Sequence, residues 1–272
     1  MKEIKMIMTD LDGTLLRNDK TVSELTIKTL KKLKKENILF GIATGRTLNA
    51  VSKLIHQWNI AEYVDVLVGF NGAHIIDESL NFNKLSHPLT GDSIKSIINK
   101  FEDLDVNFLI YEDDILWSKR IDEVSIALSQ TNQLESRVYE ADLLERPQAK
   151  MLIGCAPEFM DQVVLRASEF SLPSVHSVRS QKFLYEYMDE RNSKSAGINQ
   201  VAQMHGFTLD NVMAFGDEDN DLAMLKDCGI GVCMANGSEN AKSMANLLTK
   251  SNEEDGVAFM IEKLLANHHL ID

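Results

Sequence analysis

The 272-residue sequence predicts an α/β fold, a Rossmann-like parallel sheet with helices on its faces, interrupted by an inserted α+β domain. Three observations carry this expectation. Short apolar runs alternate with amphipathic stretches at both ends of the chain. That rhythm is lost between residues 83 and 189. The first two runs stop abruptly, at an acid pair followed by glycine and at a Thr-Gly-Arg turn.

The elements follow in chain order. Residues 4–9 form a short apolar run ending at Asp10, the pattern of a buried strand. Thr21 followed by Glu24 fits a capping box and opens a helix to about Glu36. Residues 38–43 are the next strand, broken by Thr44-Gly45-Arg46, and a helix runs on to about Trp58. Residues 64–70 are a third strand ended by Asn71-Gly72, a strong turn signal. The rhythm returns at Ser193, which can cap a helix to about His205. A strand over 212–215, a polar loop, a short helix, strands at 229–234 and 247–249, and helices from Ser238 and over 255–266 complete it.

Between the halves, strand candidates at 106–111, 115–118, 150–154 and 183–187 mix with helix candidates at 91–101 and 158–169. This mixture predicts a core built from residues 1–82 and 190–272, with 83–189 as the α+β insertion.

Composition narrows the functional classes. Hydrophobic residues make up 44% and charged residues 25%, values of a chain that can build a real core. No apolar run reaches the ~18–20 residues a membrane span needs, so no membrane partner is expected. The N-terminal stretch carries Glu3 and lacks a long apolar segment, so it does not read as a signal peptide, and the cytoplasm is the expected location. The net charge is −13, and residues 81–190 and 201–272 each carry −8, a surface that repels the phosphate backbone; nucleic acid is not expected as a partner. The basic run Lys31, Lys32, Lys34 and Lys35 reads as the solvated face of a helix. Cys155, Cys228 and Cys233 are odd in number without a CxxC, which predicts buried thiols and neither a disulfide framework nor a zinc site. His268 and His269 read as a frayed end.

Four segments carry chemistry. In Asp10-Leu11-Asp12-Gly13-Thr14, two carboxylates flank one apolar residue directly after a strand, and in an open parallel sheet ligands sit just beyond the carboxyl ends of strands. An ordinary strand-end turn is the plainer alternative. Residues 215–221, Phe-Gly-Asp-Glu-Asp-Asn-Asp, put four acids in five positions after another predicted strand. Such a cluster repels itself unless a cation neutralises it, and oxygen-only ligands suit Mg²⁺; an acidic helix start is the alternative. The spacing and terminal Glu of an EF-hand loop are absent. Thr44-Gly45-Arg46 offers a hydroxyl and backbone N–H groups at a helix start, fitted either to phosphate oxygens or to simple capping. Lys194 places a cation at a helix start, where the dipole opposes it unless an anion lies near.

Together these segments resemble the haloacid dehalogenase superfamily phosphatases, in particular the Cof-type subfamily with a type IIB cap. Asp10-Leu-Asp-Gly-Thr matches the first family motif, Thr44-Gly-Arg the second, Lys194 the third and Gly216-Asp217-x-x-Asn220-Asp221 the fourth. Asn71-Gly72-Ala73 and the segment from Ser251-Asn252 through Gly256-Val257-Ala258 also resemble Cof-type members. The resemblance spans nearly the whole chain in the correct order. Two departures occur: Ser195 stands where the family often has Gly, and Asn246 where an Asp is common.

The resemblance implies a Mg²⁺-dependent, two-step phosphoryl transfer to water from a small phosphorylated metabolite, through an aspartyl-phosphate. In it, Asp10 is the nucleophile and Asp12 the general acid and base. Asp10, the Asp12 carbonyl and Asp217 hold the metal. Thr44, Gly45, Lys194, Asn220 and the Leu11 amide hold the phosphoryl oxygens. Asp221 and Arg46 act from behind these groups. The insertion is expected to close over the site, with Glu186 on it and Asn71 of the core as candidates for the leaving-group pocket. A phosphotransferase or phosphomutase on the same core, or an inactive regulatory binding protein, are the alternatives. The sequence leaves the oligomeric state open.

Overall fold

The structure, a computed structural model, describes residues 3–267, so the His268 and His269 expectation lies outside the described residues. The chain divides into two compact units, Met1–Lys84 with Ser193–Asp272, and Leu85–Asn192.

The first unit is built on an eight-stranded sheet. Its elements begin with β1 (Met6–Thr9), α1 (Glu24–Lys35), β2 (Leu39–Ala43), α2 (Leu48–Gln57), β3 (Val66–Gly69), β4 (His74–Asp77) and β5 (Phe82–Leu85). The inserted unit follows with α3 (Gly91–Phe101), β6 (Asn107–Glu112), β7 (Ile115–Ser118), α4 (Glu123–Asn132), β8 (Glu135–Val138), β9 (Met151–Gly154), α5 (Met160–Ser168), β10 (Val175–Gln181) and β11 (Leu184–Asp189). The first unit resumes with α6 (Lys194–Met204), β12 (Val212–Gly216), α7 (Leu222–Asp227), β13 (Ile230–Cys233), α8 (Glu239–Met244), β14 (Leu247–Leu248) and α9 (Gly256–Asn267).

In the larger sheet the strand order is β14-β13-β12-β1-β2-β3-β4-β5. Pairing is parallel from β14 through β3, and antiparallel between β3 and β4. The order reverses at β1, which lies between β2 and β12, so the crevice beyond the carboxyl ends of β1 and β12 is the switch point of the sheet. Alternation along β1 explains why its whole run is apolar. Met6 and Met8 face a layer with Ile198, Val201 and Met224, whereas Ile7 faces Leu30, Phe40, Val51 and Ile261.

The inserted unit has its own six-stranded sheet, β10-β11-β9-β6-β7-β8, antiparallel except between β7 and β8. Phe108, Ile110, Met151, Ile153, Tyr185 and Tyr187 pack on one face with Ile94, Ile97 and Phe101 of α3 and Met160 and Val163 of α5. Each unit therefore has a hydrophobic core of its own.

Local chemistry corrects two capping expectations. Thr21 and Glu24 form no capping box; Ser23 caps α1 by accepting from Thr26 N (3.0 Å). Thr44 caps no helix, because α2 starts later and Thr47 accepts from Ala50 N (3.1 Å). Ser193 does cap α6, accepting from Ala196 N (3.0 Å). Cys155, Cys228 and Cys233 are free and buried. Among the described residues, no helix is long and apolar enough to cross a membrane.

Candidate active site

The predicted site residues of the first unit converge at the carboxyl ends of β1, β2 and β12. Asp10 follows β1 directly, and its N–H continues the ladder to Phe215 O (2.9 Å). Leu11 turns inward and is fully buried in the core, which fixes Asp10 and Asp12 on either side of it. Gly13 has φ +82, and a Cβ there would lie 2.2 Å from Asp217 Oδ2. Glycine is therefore required twice over, by the backbone and by the carboxylate packed on it.

Lys194, at the start of α6, is fully buried and donates to Asp10 Oδ1 and Asp221 Oδ1, at 2.6 Å each. The anion that its place at the helix start called for is thus a pair of carboxylates. Asp221 is fully committed, since its Oδ2 accepts from Asp217 N (2.9 Å) and Glu218 N (3.1 Å). Asp217 Oδ1 accepts from the Thr14 hydroxyl (2.6 Å).

Charge balance decides the electrostatics. Burial pushes the Asp10 carboxyl up to about 7; Lys194 opposes this, while Asp221 and Asp217 add to it. Burial also pushes Asp217 up to about 6, against the Thr14 hydrogen bond and with Asp221 and Glu218 adding. Burial disfavours the Lys194 charge, but Asp10 and Asp221 outweigh it and hold the ammonium above the ordinary lysine range. One buried cation thus faces three buried carboxylates.

Asp10, Asp217 and Asp221 offer oxygens within 4.8 Å of one another. The excess negative charge, the oxygen-only donors and the Gly13 cradle fit a hard divalent cation such as Mg²⁺. Asp221 already spends both oxygens on protein donors, which leaves Asp10 and Asp217 as the available carboxylates.

Asp12 is more open. Arg46 grips its carboxylate with Nε to Oδ2 and an NH2 to Oδ1, both 2.8 Å, and Lys20 Nζ donates to Oδ1 at 2.8 Å. Burial would raise this carboxyl, but Arg46 and then Lys20 more than offset it and hold it below the usual range. Thr44 is buried, donates its N–H to Val68 O (2.8 Å), and its hydroxyl oxygen accepts from Arg46 N (3.2 Å). Gly45 faces Asn71, whose Oδ1 also accepts from Asn220 Nδ2 (3.4 Å).

Asp10, Asp12, Thr44, Gly45, Arg46, Asn71, Lys194, Asp217, Asn220 and Asp221 are thereby linked by contacts within one unit. Glu186 is not among them. It lies on β11 of the inserted unit, buried, with Oε2 accepting from buried Lys150 (2.8 Å). The leaving-group candidate on the insertion is thus an ion-paired carboxylate.

Sequence reasoning missed two contributors. Thr14 stands inside the first motif, and its hydroxyl, two residues past Asp12, was a readable signal. Lys20 carried none, being one of many loop lysines. The segment 251–256 has a structural role that its sequence does not announce. Asn252 Nδ2 donates to Leu16 O (2.9 Å), and Asp255 takes Arg17 NH2 through both oxygens (3.0 and 2.9 Å). That segment fastens the loop following the first motif.

Comparison with known proteins agrees with this geometry. A family model of haloacid dehalogenase-like hydrolases matches residues 7–261. The chain is 32% identical over 278 residues to the 5-amino-6-(5-phospho-D-ribitylamino)uracil phosphatase YitU of Bacillus subtilis (strain 168), covering 95% of this chain and 96% of the relative. It is 27% identical to YcsE of the same organism, another 5-amino-6-(5-phospho-D-ribitylamino)uracil phosphatase, over 94% of both chains. A crystal structure of a haloacid dehalogenase-like hydrolase from Bacteroides thetaiotaomicron superposes with a TM-score of 0.86 at 25% identity, covering 96% of this chain and all of that one. A family match over nearly the full length, on a parallel sheet whose switch point gathers the motif residues, means that this chain belongs to the haloacid dehalogenase-like hydrolases and is a phosphatase of that family.

Proposed function

We propose that this phosphatase is Mg²⁺-dependent, acts on small phosphomonoesters, and works through an aspartyl-phosphate on Asp10. The observation that carries the reading is the buried Lys194–Asp10 pair beside Asp217, a nucleophile held in place by a cation at the edge of a carboxylate-lined crevice. Asp10 attacks phosphorus as the P–O bond to the leaving group breaks, and the leaving oxygen takes a proton from Asp12. Water then attacks the phosphoryl group, its proton passes to Asp12, and the Asp10–P bond breaks to release phosphate. The first step needs protonated Asp12, whereas Arg46 and Lys20 hold it ionised, so the acid form requires the carboxyl to leave these two cations.

Asp10, the Asp12 carbonyl and Asp217 are the groups to hold the metal, which when bound offsets carboxylate–phosphate repulsion and the charge of the equatorial oxygens. Thr44, Gly45, Lys194, Asn220 and the Leu11 amide bind those oxygens, while Asp221 orients Lys194. The inserted unit is assigned the choice of leaving group. The names of the Bacillus subtilis relatives favour a polyol phosphate on a heterocycle, and sugar phosphates share the hydroxylated leaving group. Buried free thiols support the cytoplasm as the location. The test is phosphate release from a panel of phosphometabolites with Mg²⁺ and with chelator. Release from hydroxylated monoesters with Mg²⁺ alone supports the reading, and equal release under chelation removes it.

A further inference from the structure

The turn between β3 and β4 holds two successive non-glycine residues in the left-handed region, Phe70 (φ +49) and Asn71 (φ +53), before Gly72 (φ +103). Asparagine tolerates this conformation, but for a bulky phenylalanine it is a true outlier that neighbouring structure must impose. Phe70 N donates to Arg46 O and Asn71 N to Thr44 O, each at 3.0 Å. At Gly72 a Cβ would lie 2.0 Å from Ser193 O, so the turn is locked against the residue preceding Lys194.

This locking fixes the backbone from which the Asn71 side chain starts. Its Oδ1 accepts from Asn220 Nδ2 (3.4 Å) and lies 3.2 Å from where a Gly45 Cβ would stand. The other end of the amide, Nδ2, has no hydrogen-bond partner among the described residues. A carboxamide that accepts at its oxygen is polarised into a better donor at its nitrogen. A neutral donor also suits this crevice, where Lys194 already spends two N–H groups on carboxylates.

We propose that Asn71 binds the transferring phosphoryl group, its Nδ2–H donating to a non-bridging oxygen, and does not read the leaving group. The inference rests on the phosphatase reading above. It explains why asparagine occupies the position. Aspartate would tolerate the same φ and accept equally well from Asn220, but would set a negative charge against the phosphoryl oxygens.

Asn71→Asp is therefore the near-isosteric test, and Asn71→Gly removes the amide while keeping the backbone at ease. The measurements are kcat/KM for p-nitrophenyl phosphate and several alkyl and sugar phosphates, the inhibition constant of orthophosphate, and its thermal protection of the protein. Asn71→Gly should lower kcat/KM on the order of 10- to 100-fold, the scale of one hydrogen bond to a charged group, and Asn71→Asp further. The factor should be the same for every leaving group, with orthophosphate inhibition and protection weakened alike. Unchanged kinetics, or a factor that varies with the leaving group while orthophosphate inhibition stays constant, overturns the inference. If Asn71→Asp does not fold, Asn71→Gly decides. If the wild type hydrolyses no ester, the phosphatase reading falls, and the protection measurement still judges Asn71: equal orthophosphate protection in wild type and Asn71→Asp overturns its role.

Discussion

Lys194 Nζ lies 2.6 Å from Asp10 Oδ1, a contact between positions 184 residues apart that is buried on both sides. The ammonium shares itself equally with Asp221, so two carboxylates depend on one cation. Lys194→Met should leave both uncompensated in the metal-free protein and cost about 3–5 kcal/mol. Urea unfolding with chelator present measures this, and a loss below about 1 kcal/mol would contradict the burial of the pair. Phosphate release should fall with it.

Asp10→Asn should abolish turnover by several orders of magnitude while the fold persists. It also reports on pH. In the folded chain Asp10 is raised to about 7 and Asp217 to about 6, against an ordinary 3.8. Across that window the folded state holds protons that the unfolded chain has released, so the stability contributed by these groups falls as pH rises. In metal-free samples, the Tm of Asp10→Asn relative to wild type should climb between pH 5 and pH 8. A constant difference would mean that Asp10 titrates as an ordinary carboxylate.

Gly13→Ala meets Asp217 Oδ2 and a positive φ together. It should displace the carboxylate assigned to the metal and raise the Mg²⁺ concentration needed for half-maximal protection at least tenfold. Calorimetric titration with Mg²⁺ checks this, and wild-type affinity in the variant would remove Asp217 from the metal site.

Glu186 pairs with Lys150 in the inserted unit, both side chains below a tenth exposed. Glu186→Ala should take away the buried carboxylate that Lys150 faces and lower the stability of the inserted unit, read as a fall in Tm. If the pair also selects the leaving group, Glu186→Gln should change the ratio of kcat/KM between two substrates. An unchanged ratio with lowered stability would leave it a purely structural pair.

Part of the candidate site was legible because three of its groups sit directly after strand ends, and strand ends announce themselves as breaks in apolar runs. Asp10, Thr44 and Asp217 were found this way. What escaped depended on partners. Asp12 is held by Lys20, a turn lysine with φ +64, and nothing in its neighbours says which carboxylate it meets. The ion pair of Glu186 was not legible because its partner, Lys150, lies 36 positions earlier, just before β9. Of the fold, the parallel strands were legible from apolar runs buried on both faces. β8 and β10 were not, since Glu135–Val138 and Val175–Gln181 are largely exposed and carry mixed polar residues. α4 was missed because small and polar residues dilute its apolar stripe.

The central place of β1 governs how the chain can assemble during synthesis. β1 is the sixth residue onward, yet one of its two sheet neighbours is β12, beginning at Val212. The inserted unit is continuous in sequence from Leu85 to Asn192, and β6 to β11 pair among themselves, so its sheet can form while the larger one still lacks three of its eight strands. Asp10 must wait for a lysine made 184 residues later and for Asp217 after that. Until then the apolar run of β1 has an unpaired edge facing water. The nascent chain is therefore most prone to misassociation after β3 is made and before β12 emerges, and catalytic competence arrives among the last events of folding.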